Sequence, residues 1–517
     1  MFGDSPESLC LVPHTRPVTA LAQSLRRRPA ASVTGVLVVV TAVGVVGTAL
    51  IARASYVVGT LPGNHLDRAA ATGPWRWLYE AGVVLVILAW LALGRLVVRS
   101  SPTGMCRRIS WAAAATALPL LLAAPVTSQD VWAYLGQANV AAHGLNPYSA
   151  GPGAVPGPFA DAVAREWLDA GSPYGPLWLW ICRLVVQVTQ HPWAGMFLLR
   201  GLGIAGVAGI GLALVRLCRV TGGRPEIALW LAVAGPFPLL MMVGAVHNES
   251  VMLALLLGGV TVAATDARMR RALVLGAVLV GAAGAIKVTA LVALPFLPLV
   301  WLRYADPARS AADTSDPTYR RWIRTGAPVV AIGVATVLFL GAVTGLGIGW
   351  IHTVGDGAVG GHWFSVPQQL GNLLHLVDPS HVASSSAGRY SVVHPIGLAF
   401  LALSLAAVTI TALRRPPLQT LALAFLLVVV SSTAPRVWYL LWPLVFVAVV
   451  VAAERAPRGL LAGVAAGSAT LAVWFPPSVR PPLPEWLLLA LFVPLAVAFS
   501  LVLSARDTDR SEPLVPA

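Results

Sequence analysis

Apolar blocks recur along nearly the whole chain, separated by short polar segments that often contain glycine or proline. Blocks of about 15 to 25 residues have the length of a helix that crosses a bilayer. The pattern therefore predicts an all-α polytopic membrane protein, and span length indicates about 13 to 15 spans. The predicted spans cover about 33–52, 77–98, 109–125, 194–218, 225–246, 249–265, two within 272–303, 325–347, 394–412, 417–433, 438–452, 459–475 and 485–504.

The composition and charge agree with a membrane protein. The chain has 57% hydrophobic and 11% charged residues, whereas a soluble domain has about 25% charged residues. Its formal net charge of +14 lies in short arginine clusters beside apolar blocks, such as Arg107 with Arg108 and Arg270 with Arg271. That placement is typical of cytoplasmic loops and shows no basic stripe with interleaved aromatics, so we predict no nucleic-acid partner.

The arginine clusters also assign a side to each loop. They place the tails of residues 1–32 and 505–517 in the cytoplasm, with residues 33–504 forming a single transmembrane bundle. Residues 126–193 and 348–393 fall outside as loops. The block at 177–190 is short and rich in tryptophan. If it crossed the membrane, the basic cluster of Arg216, Arg219 and Arg224 would lie on the outer side. We therefore interpret it as an interfacial helix of the first outer loop.

The unusual polar side chains gather on this outer side. The segment S-Q-D-V-W-A-Y (128–134) directly follows the third predicted span, and H-G-L-N-P-Y (143–148) follows it in the same loop. A carboxyl group at the mouth of a span is poorly solvated, and its neighbours can tune its pKa for general-base catalysis near neutral pH. Asp130 is therefore the candidate catalytic residue. The alternative is that its carboxylate caps a short helix over 131–142.

Further candidates have structural alternatives of their own. S-P-Y-G-P-L-W (172–178) could be an interfacial turn, and H-N-E (247–249) could cap a helix. Lys287, the only lysine, could snorkel to the interface or contact a phosphate. Arg200 lies inside a predicted span, where a charge needs a partner or a wet cavity. The candidate substrate-binding residues are Tyr134, His143, Asn146, Tyr148, Tyr174, Arg200, His247, Asn248, Glu249, Lys287, His362, Arg436 and Tyr439.

The chain carries no motif for a soluble nucleotide donor or for a metal. It has no Walker loop, no dinucleotide-binding glycine motif and no H-E-x-x-H, and its four cysteines are far apart. We predict no metal ligands and no cofactor. A tuned acid, several cations and aromatic or amide surfaces on one side favour displacement at a phosphate-activated sugar whose donor diffuses within the bilayer.

The sequence resembles the polyprenol-phosphate-mannose-dependent α-1,6-mannosyltransferases of actinobacterial lipomannan and lipoarabinomannan core synthesis, which are GT-C glycosyltransferases. The resemblance rests on S-Q-D-V-W-A-Y-L-G-Q (128–137), on the motifs at 143–148 and 172–178, on H-N-E and on R-V-W-Y-L-L-W-P (436–443). It implies a GT-C-type helix bundle in the plasma membrane with an extracytoplasmic active site. It also implies a catalytic acid in an early outer loop, a role that falls on Asp130.

The resemblance further implies the reaction. Mannose would move from polyprenyl-phosphate-mannose to a growing lipid-linked mannan in a single inverting displacement. Asp130 would take the acceptor's proton. From their side and depth in the membrane, and not from a family motif, we expect Arg200, Lys287 or Arg436 to stabilise the leaving phosphate. Two alternatives remain open: a related transferase with an α-1,2 linkage or an arabinofuranose donor, and a lipid-sugar flippase or transporter.

Overall fold

In the part of the chain that it describes, the structure, a computed structural model, consists of helices and the loops between them. It describes residues 30–64, 73–99, 103–305, 318–356, 364–377, 386–433, 435–453 and 458–474. The one pairing of extended backbone there is an isolated bridge between Gly223 and Ala453. The predicted all-α fold class is confirmed. One predicted site residue, His362, lies outside the described residues.

The described residues form 19 α-helices. They are α1 Ala30–Val58, α2 Pro74–Arg99, α3 Met105–Ala117, α4 Asp130–Ala142, α5 Pro158–Asp161, α6 Pro176–Thr189, α7 Pro192–Thr221, α8 Pro225–Ala232, α9 Pro236–Pro238, α10 Glu249–Thr265, α11 Met269–Gly284, α12 Leu297–Val300, α13 Thr318–Thr344, α14 Trp350–Asp356, α15 Val366–Val377, α16 Ser386–Thr411, α17 Pro417–Ser431, α18 Leu441–Val451 and α19 Arg458–Trp474.

Tighter and wider turns lie between these helices. The 3₁₀ segments are Pro62–Asn64, Leu118–Leu122, Pro152–Ala154, Arg165–Trp167, Val288–Phe296, Ala412–Arg414 and Val437–Leu440. Two π-helical segments, Leu239–Gly244 and Trp301–Ala305, also occur.

Six helical segments of the described residues are long and apolar enough to cross a membrane. They are Val33–Val58, Pro74–Arg99, Pro192–Thr221, Val288–Ala305, Trp322–Thr344 and Val393–Arg414. Only 17% to 50% of the most apolar window of each is buried within the protein. The remaining apolar surface faces outward, as expected for helices in lipid. The protein is a multi-pass membrane helix bundle, as predicted.

Several predicted spans differ from a straight helix. The third, predicted over 109–125, is the 13-residue helix α3 followed by a 3₁₀ turn. Pro119 lies in that turn, and proline removes the amide donor that an α-helix needs. The block over 225–246 breaks at Gly235 and bends by 48° between its two parts. The total of 13 to 15 spans stays a prediction, since the block at 485–504 is outside the described residues.

Close helix contacts hold the bundle together. A Cβ on Gly47 of α1 would lie 2.7 Å from the carbonyl oxygen of Gly82 of α2, and a Cβ on Gly82 would lie 2.6 Å from that of Gly47. Small residues at such crossings let two backbones approach closely in a membrane. Trp90 of α2 and Trp230 of α8 stack with ring centroids 4.8 Å apart, and each indole N–H donates to the other residue's carbonyl oxygen.

Arg200 connects the two places where helices break near the candidate site. Its side chain on α7 donates to the carbonyl oxygens of Leu121 and Ala123 at 3.0 and 2.6 Å. It also donates to Val243 and Gly244 at the end of the π-helical segment, at 3.1 and 3.3 Å. Broken helices leave such carbonyls without partners, and a buried guanidinium satisfies them. The first chain segment continues to Asp130 and the second to His247.

Candidate active site

Asp130 is the first residue of α4, but its carboxylate does not cap that helix. The N-cap residue is Gln129, and no side chain provides a cap. The backbone N–H of Asp130 donates to the Ser128 hydroxyl at 3.1 Å. The capping alternative is therefore wrong, and the carboxylate is available for other contacts.

Three groups from three chain segments surround Oδ2 of Asp130. The phenol O–H of Tyr134, one turn further along α4, donates to it at 3.4 Å. The phenol O–H of Tyr174 donates at 3.3 Å, and Nδ1 of His247 lies 3.5 Å away. These distances are at the long end for hydrogen bonds. The structure thus brings together residues from three of the motifs that the sequence singled out.

His247 is held between Asp130 and an aromatic ring. Its side chain is fully buried, and its imidazole stacks on Trp438 with centroids 4.1 Å apart and an interplanar angle of 24°. The preceding residue, Val246, has φ of 61°. This value is rare for a β-branched residue, and such strain, like a π-helical segment, occurs often at functional sites.

Asp130 is ionised at neutral pH. Burial alone would raise its pKa, but the hydrogen bond and charge of His247, together with Lys287 and Arg436, lower the pKa to about 2. This corrects the expectation that poor solvation would tune the acid toward neutral pH. Burial raises the pKa of both Tyr134 and Tyr174 well above the usual value. Both phenols therefore keep their protons and remain donors to the carboxylate.

Lys287 points into the protein and forms an ion pair. Its Nζ lies 2.5 Å from Oε1 of Glu249, whose side chain is fully buried. The ammonium also lies over the rings of Tyr439 and Trp442, 4.1 and 5.3 Å from their centroids. Cation–π contacts of this kind stabilise a partly desolvated charge. Snorkelling therefore does not describe Lys287.

The H-N-E segment does not cap a helix with its side chains either. Asn248 is the N-cap residue of α10, but no side-chain cap bond forms. Asn248 is fully buried, and neither end of its amide has a hydrogen-bond partner among the described residues. The same is true of Oε2 of Glu249. Buried polar atoms of this kind are uncommon and call for an explanation.

Gly175 lets the S-P-Y-G-P-L-W segment touch the turn before Lys287. Its N–H donates to the carbonyl oxygen of Ile286 at 3.1 Å, and Leu177 N–H donates to that of Ala285 at 3.0 Å. A Cβ on Gly175 would lie 2.2 Å from the Ala285 oxygen, so a larger residue would push the two segments apart. This contact places Tyr174 against Asp130 on the same side as Lys287, which a plain interfacial turn would not require.

A cavity of about 220 Å³ opens beside Asp130. Five predicted residues line it: Asp130, Tyr174, Lys287, Arg436 and Tyr439. Other lining residues were not predicted as site residues, although three of them lie in the quoted motifs; they include Gln137, Trp167, Thr289, Thr433, Trp438 and Trp442. Helical spacing could have indicated some of them, because Gln137 follows Asp130 by two turns and Trp442 follows Trp438 by one.

Other predicted site residues do not line the cavity. Arg200 is 1% exposed, and its donors are directed to backbone carbonyls. His143 is exposed at the far end of α4, where its Nδ1 contacts the Asn139 carbonyl oxygen. The Asn146 side-chain oxygen accepts from the backbone N–H of Tyr148.

The H-G-L-N-P-Y segment instead supports the turn that carries Tyr174. The carbonyl oxygen of Pro147 accepts from Ser172 N–H at 2.8 Å, and the Ser172 hydroxyl accepts from Tyr174 N–H at 3.3 Å. Tyr148 is buried in a small cluster with Trp350 and Leu179. Its contacts, like those of Asn146, are the contacts of a folded loop.

The described residues contain no group of three His, Cys, Asp or Glu side chains that could hold a metal ion. Asp130 and His247 form a pair, and the nearby Glu249 is bound to Lys287. The absence of metal ligands stays a prediction.

Comparison with known proteins identifies the family. The model described as "Alpha-(1->6)-mannopyranosyltransferase, N-terminal domain" matches residues 37–303. The Mycobacterium tuberculosis protein alpha-(1->6)-mannopyranosyltransferase A is 32% identical over 79% of this chain and 77% of its own length. Alpha-(1->6)-mannopyranosyltransferase A of Corynebacterium glutamicum is 31% identical over 58% of this chain and 62% of its own length. Alpha-(1->6)-mannopyranosyltransferase B of the same species is 28% identical over 78% and 71%.

The matched region contains the segments that build the site around Asp130, His247 and Lys287, and the first of these relatives aligns over more than three quarters of both chains. The family resemblance inferred from the motifs is confirmed. The chain belongs to the alpha-(1→6)-mannopyranosyltransferase family.

Proposed function

We propose that the chain transfers mannose from polyprenyl-phosphate-mannose to the 6-hydroxyl of a lipid-linked mannan at the outer face of the plasma membrane. The observation that carries the proposal is the cavity in which an ionised Asp130 and the cations Lys287 and Arg436 lie together. Family membership and the names of the relatives support mannose as the sugar and α-1,6 as the linkage. The positive-inside assignment supports the outer face.

The reaction is a single inverting displacement. The acceptor hydroxyl oxygen attacks the anomeric carbon of the donor, and the bond from that carbon to the phosphate oxygen breaks. Polyprenyl phosphate leaves with the electron pair, and the hydroxyl proton passes to the Asp130 carboxylate. A β-linked donor then gives an α-linked product.

The low pKa of Asp130 determines when the proton moves. A carboxylate with a pKa of about 2 is always ready to accept a proton at neutral pH, but it is a weak base. A free hydroxyl would not lose its proton to it. Proton transfer therefore occurs late, after partial bonding to the anomeric carbon has made the hydroxyl acidic. Tyr134, Tyr174 and His247 hold the carboxylate in place for that moment.

Lys287 and Arg436 have different roles in the proposed reaction. Lys287 already faces Glu249, so much of its charge is balanced. Arg436 lines the same cavity, and no hydrogen-bond or ion-pair partner for its guanidinium is found among the described residues. A guanidinium can donate two parallel hydrogen bonds to a phosphate. Arg436 is therefore the main contact for the leaving phosphate, with Lys287 assisting. Arg200, which is bound to carbonyls, has no part in it.

The test is a transfer assay on the full chain in proteoliposomes. Radiolabelled polyprenyl-phosphate-mannose or GDP-mannose is supplied together with a short α-1,6-mannoside acceptor, and products are digested with linkage-specific mannosidases. We expect a product from the lipid donor only, sensitive to an α-1,6-specific enzyme. Transfer from GDP-mannose alone, or a product with only α-1,2 linkages, would overturn the proposal. Movement of labelled lipid across the bilayer without any transfer would favour a flippase.

A further inference from the structure

Gln137 is a buried amide that faces the cavity and that the proposed reaction does not use. It is 1% exposed, and its Oε1 has no hydrogen-bond partner among the described residues. It nevertheless lines the same cavity as Asp130. A buried amide oxygen is costly unless a donor forms a hydrogen bond to it. A hydroxyl of a bound ligand would supply that partner.

One face of α4 forms the wall between Gln137 and Asp130. Asp130, Ala133 and Gln137 all line the cavity, which is the spacing of residues on one side of a helix. Gln137 lies seven residues after Asp130, a rise of about 10 Å along the axis. Ala133 is the one residue of α4 between them that lines the cavity. The residues that α4 contributes to the cavity are therefore polar at both ends of this stretch, with the small Ala133 between them.

Trp167 also lines the cavity. It ends the 3₁₀ segment Arg165–Trp167 and is half-buried against the cavity. An indole and an amide in the same cavity suit a pyranose, whose apolar face packs on the ring while its hydroxyls form hydrogen bonds with the amide.

The reaction geometry assigns this end to the acceptor. In an in-line displacement the base and the leaving group lie on opposite sides of the reacting carbon, so the acceptor sugar lies on the Asp130 side. The cations that would meet the donor phosphate come from other elements, Lys287 before the segment Val288–Phe296 and Arg436 before Val437–Leu440. The rest of the acceptor then extends along α4 toward Gln137.

We propose that Gln137, Ala133 and Trp167 form a second hexose subsite that binds the acceptor sugar next to the one receiving mannose. The inference rests on the proposed function. The enzyme would then extend an existing mannan, because a single mannose would leave this subsite empty and bind weakly.

The test compares acceptors of one and two sugars. For each acceptor, kcat/KM is measured with polyprenyl-phosphate-mannose, using an octyl α-mannoside and an octyl α-1,6-dimannoside. The wild type should prefer the dimannoside by at least tenfold. Gln137→Leu, which keeps similar volume without the amide, should lower this preference about tenfold by raising the KM for the dimannoside. The matched control Asp161→Asn changes an exposed acid in the same loop and should keep the preference.

Other outcomes separate the inference from the function on which it rests. If Gln137→Leu lowers kcat/KM equally with both acceptors, or raises the KM for the donor, Gln137 does not bind the second acceptor sugar. If Gln137→Leu does not elute as a folded species in detergent, the half-buried Trp167→Ala is measured in the same way, and an unchanged preference overturns the subsite. Absence of transfer by the wild type with either acceptor would instead contradict the proposed function.

Discussion

His247 is expected to control the protonation of Asp130, and its removal should create a pH dependence that the wild type does not have. In His247→Gln the imidazole's hydrogen bond and charge are lost, while the burial that raises the pKa of Asp130 remains. Each of these two contributions lowers the pKa of Asp130 more than the charge of Lys287 or Arg436 does. The pKa of Asp130 should therefore rise from about 2 to about 4, close to the ordinary value for a carboxyl group.

The size of this change follows from the pKa difference. One pKa unit corresponds to about 1.4 kcal/mol, so a rise of about two units means that the surroundings stabilise the ionised carboxylate by roughly 3 kcal/mol less. Asp130 is an acid whose pKa is lowered in the folded protein. Its carboxylate is therefore ionised above that pKa and becomes protonated as the pH falls through it. The variant should lose its base near pH 4, whereas the wild type should keep it.

The assay is the pH profile of kcat/KM between about pH 3.5 and pH 8, the range that brackets the expected pKa. At the pKa half of the variant's carboxylate is protonated, so half of its remaining rate should be lost near pH 4. The wild type should lose almost none of its rate through Asp130. Samples returned to pH 7 must recover full activity, which separates titration from unfolding. A variant with the same acid profile as the wild type would refute the role of His247.

The remaining predictions concern neighbouring groups. Arg436→Met should raise the KM for the lipid donor at least tenfold, and Lys287→Met should raise it less, measured by initial rates. Equal increases in KM would contradict the inference that Glu249 balances the charge of Lys287 while Arg436 is left to bind the phosphate. Gly175→Ala should lower kcat by separating Tyr174 from Asp130, while Gly201→Ala, where a Cβ meets nothing within 4 Å, should not. Arg200→Met should lower unfolding free energy by about 3 kcal/mol, read from thermal unfolding in detergent, because charged hydrogen bonds to four carbonyls are lost.

The sequence predicted the helical membrane fold and the residues around Asp130 for clear physical reasons. Span length and arginine clusters are local properties of the chain, so blocks such as 194–218 and 249–265 correspond closely to α7 and α10. The polar motifs near Asp130, Tyr174 and His247 stand out because polar residues are uncommon beside apolar blocks. The structure brings these three residues together around one carboxylate oxygen.

Other features depend on contacts that a linear sequence does not contain. The sequence placed Arg200 inside a predicted span and Lys287 alone among apolar residues, but it did not indicate the partners of either cation. Only the fold shows that broken helices supply carbonyls to Arg200, whereas Glu249 and two aromatic rings surround Lys287. The direction of the Asp130 pKa shift also depends on His247, which is 117 positions away in the chain and 3.5 Å away in space. The H-G-L-N-P-Y motif was as distinctive as the others, yet it supports a loop.

The most direct test of the central claim is transfer by Asp130→Asn in proteoliposomes, with Asp161→Asn as the matched control in the same loop. Both variants lose one carboxylate, but only Asp130 contacts Tyr174 and His247. General-base catalysis contributes about 10² to 10⁴ in rate. We predict that Asp130→Asn lowers kcat by at least a hundredfold with an unchanged donor KM, while Asp161→Asn transfers mannose at the wild-type rate. Undiminished transfer by folded Asp130→Asn would contradict the account.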